Sequence, residues 1–280
     1  MARAELSYCA AEVRRDDPDR FFAALFAPAA RREGLLTLYA FNLELARARE
    51  RAREPMLGLI RLQWWRDALA AIAGGGGPAH AVATPLAALV RAAPLSRVLL
   101  ERLIDAREQD FTGPPASLAA LERYAEASAG TLTALAFEAL GVRGEAAGEV
   151  AAELGIAWAL VGLLRAVPFH AAQERLCLPL ELLAEASIPP EALFAGGAPA
   201  GLAAVVRPIA ARAREHLAAA RRLRGALPRQ ALAALLPAVL ADGHLRALAR
   251  AGYDPYALGP PGPPRLGLLR LALAAARGRY

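Results

Sequence analysis

Apolar positions recur along this chain at three- and four-residue spacings, broken at prolines, glycines and short acidic caps. That rhythm predicts helices. Asp16, Asp17 and Pro18 open one that runs through Phe26, with proline at an early helical position. Pro28 starts a long helix over about 29–53, and Pro55 starts the next, which the run GGGGP at 74–78 ends. Shorter helices are expected over 85–92 and 94–110. After the turn TGPPAS, Ser117 caps a helix to about residue 140. Residues 141–144 read as a loop and 145–167 as a helix. The stretch 173–201 is turn-rich with short helical pieces. Two long helices then cover about 202–224 and 228–252.

No repeat of fixed period appears, and the first linker-like stretch is GPPGPP from Gly259. The expected organisation is therefore one helical domain over 1–258, then a Pro/Gly linker and a basic amphipathic segment over 259–280. In that segment Leu266, Leu269, Leu271 and Leu273 alternate with Arg265, Arg270, Arg277 and Arg279. It either packs back on the domain or lies on an anionic membrane surface.

Composition sharpens the fold class. The chain has 280 residues and is 56% hydrophobic. Alanine, leucine and arginine dominate while β-branched residues are sparse, which favours an all-α protein. The most apolar stretch, 150–169, contains Glu153 and Arg165 and reads as a buried core helix rather than a membrane span. The N-terminus has no apolar h-region, so no signal peptide is expected. Cys9 and Cys177 lack metal-ligand spacing and read as reduced residues of a cytosolic protein. A net charge of +6 suits an anionic partner. Nucleic acid is disfavoured, because no basic motif with interleaved aromatics accompanies the charge.

Three segments carry the chemistry. The first is RREGLLTLYAF, leading into LELARARE. The second is LERYAEASAGTLTALAFEALG, with Tyr124, Ala129 and Gly130. The third is GIAWALVGLLRAVPFHAAQERLCLPLELL, with Arg165, Arg175, Leu178 and Pro179. In this order they resemble the squalene/phytoene synthase family of head-to-head prenyltransferases, and the resemblance covers nearly the whole chain to about Gly252. It implies a single-domain isoprenoid-synthase-like helical bundle around a central apolar cavity.

In that family two Asp-rich helices clamp Mg²⁺ ions against a diphosphate. Carboxylates four apart share a helix face, and Mg²⁺ prefers oxygen ligands. Here Ala46 and Glu50 stand at the first pair of positions, and Ala166 and His170 at the second. A Mg²⁺ clamp is therefore not expected. Mg²⁺ enters only on the alternative reading of an active prenyltransferase, with substitute ligands among Glu44, Glu50, Asp105, Glu108 and Asp110. The runs DDPDRFFAALFAPAARREGLLTLYAFNLELARARE and EPMLGLIRLQWWRDAL resemble one branch more closely. That branch includes a mitochondrial complex I assembly factor and its bacterial relatives, and it departs from the Asp-rich motifs.

The resemblance implies a pseudoenzyme that assists assembly of respiratory NADH:quinone oxidoreductase, in the cytoplasm and peripheral to the inner membrane. Its partners would be a subunit or assembly intermediate of the complex, with a prenyl lipid and an anionic membrane surface as further candidates. A prenyl-lipid binder without turnover is a third reading. Tyr124 is a relic or candidate of the catalytic tyrosine. Arg47, Arg51 and Arg61 either bind an anion or pair with Glu44, Glu50 and Glu54 on a solvated face. Arg165, inside an apolar helix, is either an ion-pair member or a relic of substrate binding. Arg175 joins the diphosphate candidates. His170 is expected to cap a helix end. Phe41, Trp64, Trp65 and Gly130 are the cavity candidates.

Overall fold

Capping side chains and prolines set the helix starts. In the computed structural model, which describes residues 6–52, 54–258, 265–278 and Tyr280, the regular structure among these residues is helical, with no strand. Ser7 accepts the Ala10 N–H and opens α1 (Tyr8–Asp16), a helix the sequence pattern did not predict. Asp17 accepts the Arg20 N–H and Pro18 takes the first turn of α2 (Pro18–Ala24). Helix α3 (Ala29–Glu50) ends three residues sooner than expected. Helix α4 (Pro55–Ala73) stops at Gly74, and Gly75 turns the chain away at φ +86°. Helices α5 (Ala83–Ala92) and α6 (Arg97–Glu108) follow, and a 3-10 turn, Gln109–Phe111, closes α6.

The helix expected from Ser117 to residue 140 is continuous in path but not in winding. Helix α7 (Leu118–Ala125) passes through a π-helical segment, Glu126–Gly130, into α8 (Thr131–Ala139). Helix α9 (Glu145–Ala171) runs past its expected end, through Pro168. Short helices α10 (Leu180–Glu185) and α11 (Pro190–Leu193) fill the turn-rich stretch, followed by α12 (Leu202–Arg222). The helix expected over 228–252 is broken. A 3-10 turn, Arg229–Ala231, and α13 (Leu232–Leu235) precede α14 (Pro237–Arg250). Pro237 has no N–H to continue the earlier ladder, so it starts a new helix.

Helix α9 is the axis of the bundle. It is predominantly apolar, and Val150, Ala157, Leu160 and Leu164 are fully buried. Helices α7, α8, α12 and α14 and the π-helical segment pack around it. Two stretches, Glu145–Ala171 and Arg229–Arg250, are long and apolar enough to cross a membrane, but 61% and 67% of their apolar windows lie inside the bundle. They serve as core helices here.

The tail takes the packed arrangement. Helix α15 (Arg265–Arg277) lies against α14 with Leu271 fully buried, while Leu268, Leu269 and Leu273 are exposed. Tyr280 is seated too: its hydroxyl donates to the Ala220 carbonyl at 3.4 Å, and Arg221 Nε donates to its carbonyl oxygen at 3.1 Å. The linker expected at GPPGPP lies outside the described residues.

Candidate functional site

A cavity of about 770 Å³ opens among α3, α7, α9 and the loops that follow α6 and α9. Leu121, Leu132 and Trp158 form buried apolar wall, whereas Glu50 and Glu174 stand exposed at the rim. All four positions of the expected clamp line this one cavity. Ala46 and Glu50 come from successive turns of α3, and Ala166 and His170 from successive turns of α9. Helical geometry explains the pairing, since residues four apart project from the same face.

The donor set does not fit a Mg²⁺ clamp. Two alanines offer no ligand, and one carboxylate and one imidazole remain. Among the described residues no group of three or more His, Cys, Asp and Glu side chains is placed to hold a metal ion. Burial, reinforced by the charge of Arg175, pushes the His170 imidazole down to about 4, so the ring is neutral at neutral pH. Its Nδ1 is buried without a hydrogen-bond partner among the described residues, so the side chain caps no helix carbonyl through that atom. The helix end is closed by backbone alone: Glu174 N–H bonds to Ala171 O and Arg175 N–H to His170 O, with Glu174 at φ +51°. This Schellman turn returns Arg175 to the cavity.

Three of the five substitute ligands considered for an active enzyme are engaged elsewhere. Asp105 and Glu108 pair with Arg66 at 2.6 and 2.7 Å on the outer surface, and Glu44 pairs with Arg47 at 2.8 Å. Asp110 does line the cavity, where it accepts the Tyr124 hydroxyl at 2.6 Å. Arg107 donates to the same hydroxyl and to Asn42 Oδ1, each at 3.0 Å. Tyr124 thus sits in an Arg107–Tyr124–Asp110 chain, and burial raises its pKa far above the range in which it would ionise.

Guanidinium groups are the dominant charge of the cavity. Arg20, Arg49, Arg107 and Arg175 line it against three carboxylates, Glu50, Asp110 and Glu174. Arg20 pairs with Asp17 at 2.9 Å and lies over the Tyr39 and Trp158 rings. Arg49 donates to the Asp110 carbonyl at 3.2 Å and lies over the Phe111 ring, without a carboxylate partner among the described residues. The Arg175 side chain likewise has neither ion pair nor hydrogen bond there. Arg107 Nε is buried and unpartnered.

Several expected site residues lie elsewhere. Arg47 is buried among Glu12, Asp16 and Glu44 and does not line the cavity. Arg51 is exposed and outside the lining. Arg165 belongs to a separate buried cluster. Its guanidinium meets Asp19 at 2.8 Å, and His244 Nε2 reaches the same Asp19 oxygen at 3.1 Å. Burial opposes ionisation of Asp19, but His244 and Arg165 outweigh it and hold the carboxyl below its usual range.

Phe41, Trp64, Trp65 and Gly130, expected to line the cavity, do not. Phe41 and Trp65 pack edge to face in the core at 4.9 Å. Trp64 lies near His80 and is 39% exposed. Gly130 is covered by Gly155: a β-carbon at 155 would stand 2.3 Å from Gly130 Cα. The residues missed from sequence, Asn42, Arg49 and Arg107, carried a partial signal. Asn42 and Arg49 lie on the face of α3 that Ala46 already marked. Arg107 had none, because its position depends on how α6 packs.

The outer face of α4 is unusually apolar. Met56, Leu57 and Ile60 are 50–63% exposed, and Trp64 continues the stripe one turn on. Gly58 on the same helix packs against the cavity residue Phe111 and the Ala48 carbonyl, which places the start of this stripe beside the cavity.

The sequence pattern of the squalene/phytoene synthase family matches residues 13–271. The NADH dehydrogenase (ubiquinone) complex I assembly factor 6 of Mus musculus is 31% identical over 248 residues, covering 88% of this chain and 74% of that protein. A presqualene diphosphate synthase of Rhodopseudomonas palustris is 28% identical over 217 residues, covering 76% of this chain and 77% of the synthase. In three dimensions a ligand-bound dehydrosqualene synthase superposes with a TM-score of 0.81 at 16% identity, over 96% of this chain and 94% of that one.

Proposed function

The chain belongs to the squalene/phytoene synthase family, and from that premise we propose that it is a member without prenyl-transfer activity that assists assembly of respiratory NADH:quinone oxidoreductase. The observation that carries this reading is the reduced clamp. The four positions still converge on one cavity, yet they supply only Glu50 and a neutral His170. Departure of a diphosphate from an allylic carbon needs its developing charge neutralised, and two facing carboxylate pairs with their metals are the family's means. The assembly role is supported by the relatives named for it.

The protein works, on this proposal, on the cytoplasmic side and at the periphery of the inner membrane. The apolar stripe Met56, Leu57, Ile60 and Trp64 is the surface offered to a subunit or assembly intermediate of the complex. Trp64 suits such a contact, because its ring is already ordered against Trp65 and His80.

The test is complementation of a deletion strain, with assembled NADH:quinone oxidoreductase measured on native gels. Wild-type protein should restore the complex, and a folded Met56→Asp/Ile60→Asp variant should not. Normal assembly in the deletion strain would end the assembly reading. The rival, an active prenyltransferase, has the Arg107–Tyr124–Asp110 chain at the cavity in its favour. Metal-dependent release of diphosphate from farnesyl diphosphate, with or without a nicotinamide reductant, would establish it instead.

A further inference from the structure

Charge is unevenly placed along this chain. Residues 201–280 carry thirteen arginines against three acidic residues, a net +10, so the first 200 residues hold −4 of the total of +6. All three acidic residues of that stretch are engaged. Glu215 pairs with Arg212, Asp242 pairs with Arg221, and Asp254 caps the Tyr256 N–H. Arg207 and Arg214 on α12 and Arg246 and Arg250 on α14 are exposed, and none meets a carboxylate among the described residues. Tyr253, in the turn after α14, brings the two arginines of α12 together. It stands at φ +65°, a left-handed conformation that costs a residue with a side chain. Its ring there takes Arg207 over its face at 4.4 Å and Arg214 at 5.8 Å from the centroid. Arg214 also donates to the Tyr253 hydroxyl at 3.4 Å and to the Leu245 carbonyl at 3.3 Å, one residue short of Arg246. Arg250 Nε folds back onto the Arg246 carbonyl at 3.3 Å. Like charges held this close raise the energy of the free protein, and no carboxylate among the described residues offsets them.

We propose that this arginine face, Arg207, Arg214, Arg246 and Arg250 around Tyr253, is a docking surface for an acidic segment of a partner protein. Guanidinium groups pair with carboxylates through two parallel hydrogen bonds. Arginine and tyrosine are also residues that carry interfaces, and the stacking on Tyr253 leaves Arg207 and Arg214 less freedom to lose on binding. These two stand two turns apart on α12, about 10 Å along the helix. Carboxylates seven apart on a helix, or three apart on an extended segment, match that spacing. A lipid surface fits less well, because among the described residues α12 and α14 expose no large apolar side chain that could enter it. A nucleic acid fits less well too, because Arg207 already covers a face of Tyr253 on which a base would stack. The proposal rests on the assembly reading only for a protein as the partner. Peptide binding in vitro can succeed or fail whatever the deletion strain shows.

The experiment is fluorescence anisotropy on the full-length protein at low salt, with labelled hexaglutamate as probe. Phosphatidylglycerol vesicles and a labelled oligothymidylate of the same charge as the peptide serve as the other two arms. Wild type should bind the peptide, and Arg207→Glu/Arg214→Glu should weaken it by about tenfold or more. Arg14→Glu/Arg91→Glu makes an equal change of net charge at two exposed arginines on α1 and α5. It should weaken the peptide by less than about twofold, because the effect of distant surface charges is screened. Circular dichroism and urea midpoints check that each variant is folded. No binding by wild type, or equal losses in the two double variants, would overturn the proposal. Vesicles or oligothymidylate bound more tightly than the peptide, through Arg207 and Arg214, would overturn it in favour of a membrane or a nucleic acid.

Discussion

The carbonyl of His170 accepts the backbone N–H of Arg175 at 2.9 Å, so a single turn holds both side chains at the cavity. The imidazole is thereby kept largely buried beside a guanidinium, which depresses its pKa to about 4. An unfolded chain titrates its histidine near 6.5. Above that pH both states are neutral and the folded protein has its full stability. Between about 6.5 and 4 the unfolded chain takes up a proton that the folded state resists, so stability falls as the pH drops through this window. Urea midpoints at pH 7.0 and 5.5 should drop more for wild type than for His170→Leu. Equal drops would mean that the ring is solvated.

Gly155 and Gly130 let two backbones touch. A methyl group at 155 would lie 2.3 Å from Gly130 backbone atoms, and backbone cannot swing aside as a side chain can. Gly155→Ala should destabilise the protein by about 2–3 kcal/mol through overpacking. Gly148→Ala, in the same helix but facing open space, should instead gain about 0.5–1 kcal/mol from helix propensity. Chemical denaturation of the pair measures both, and a neutral Gly155→Ala would contradict the close approach.

Arg165 holds the buried Asp19 from across the bundle. Asp19 Oδ2 takes bonds from Arg165 and His244, while Oδ1 has no partner among the described residues. Arg165→Leu should cost about 3 kcal/mol by leaving a buried carboxylate half-compensated. Adding Asp19→Leu should recover part of that loss, since the unpaired charge then disappears. A double variant no more stable than Arg165→Leu would mean that the carboxylate left behind carries no penalty for losing its guanidinium.

Restoring the clamp tests the geometry of the four cavity positions. Ala46→Asp, Glu50→Asp, Ala166→Asp and His170→Asp together place two carboxylate pairs on facing helices around one cavity. The folded quadruple variant should bind inorganic diphosphate in a Mg²⁺-dependent manner that wild type lacks. Calorimetry without a Mg²⁺ effect would mean that α3 and α9 stand too far apart or at the wrong angle.

The helical class, most helix starts and the convergence of residues 46, 50, 166 and 170 were legible because they follow from local rules. Prolines, caps and the i,i+4 spacing act within a few residues. The misses are where tertiary packing decides. Trp64 and Trp65 are adjacent, yet one is exposed and the other is core, because α4 meets the bundle along the line of Leu62, Trp65 and Leu69. Arg47 sits between cavity residues Ala46 and Arg49 but turns toward Glu12 and Asp16 on α1, a helix the pattern did not predict. Arg165 found its carboxylate 146 residues away, on Asp19. Nothing local encodes such partners.

The π-helical segment Glu126–Gly130 has a consequence for chain length. Thr131 N–H reaches back five residues to the Glu126 carbonyl, the mark of one residue more than an α-helix would use. Tyr124 and Leu132 both face the cavity across it. Deleting a single residue there would rewind the segment to regular α-helix and rotate everything beyond it by about 100°. Leu132 would leave the cavity wall, and the glycine at 130 would no longer meet Gly155. A one-residue gap within 126–130 is therefore a far harsher edit than one in the loop at 141–144, where the same loss changes only a connection between helices.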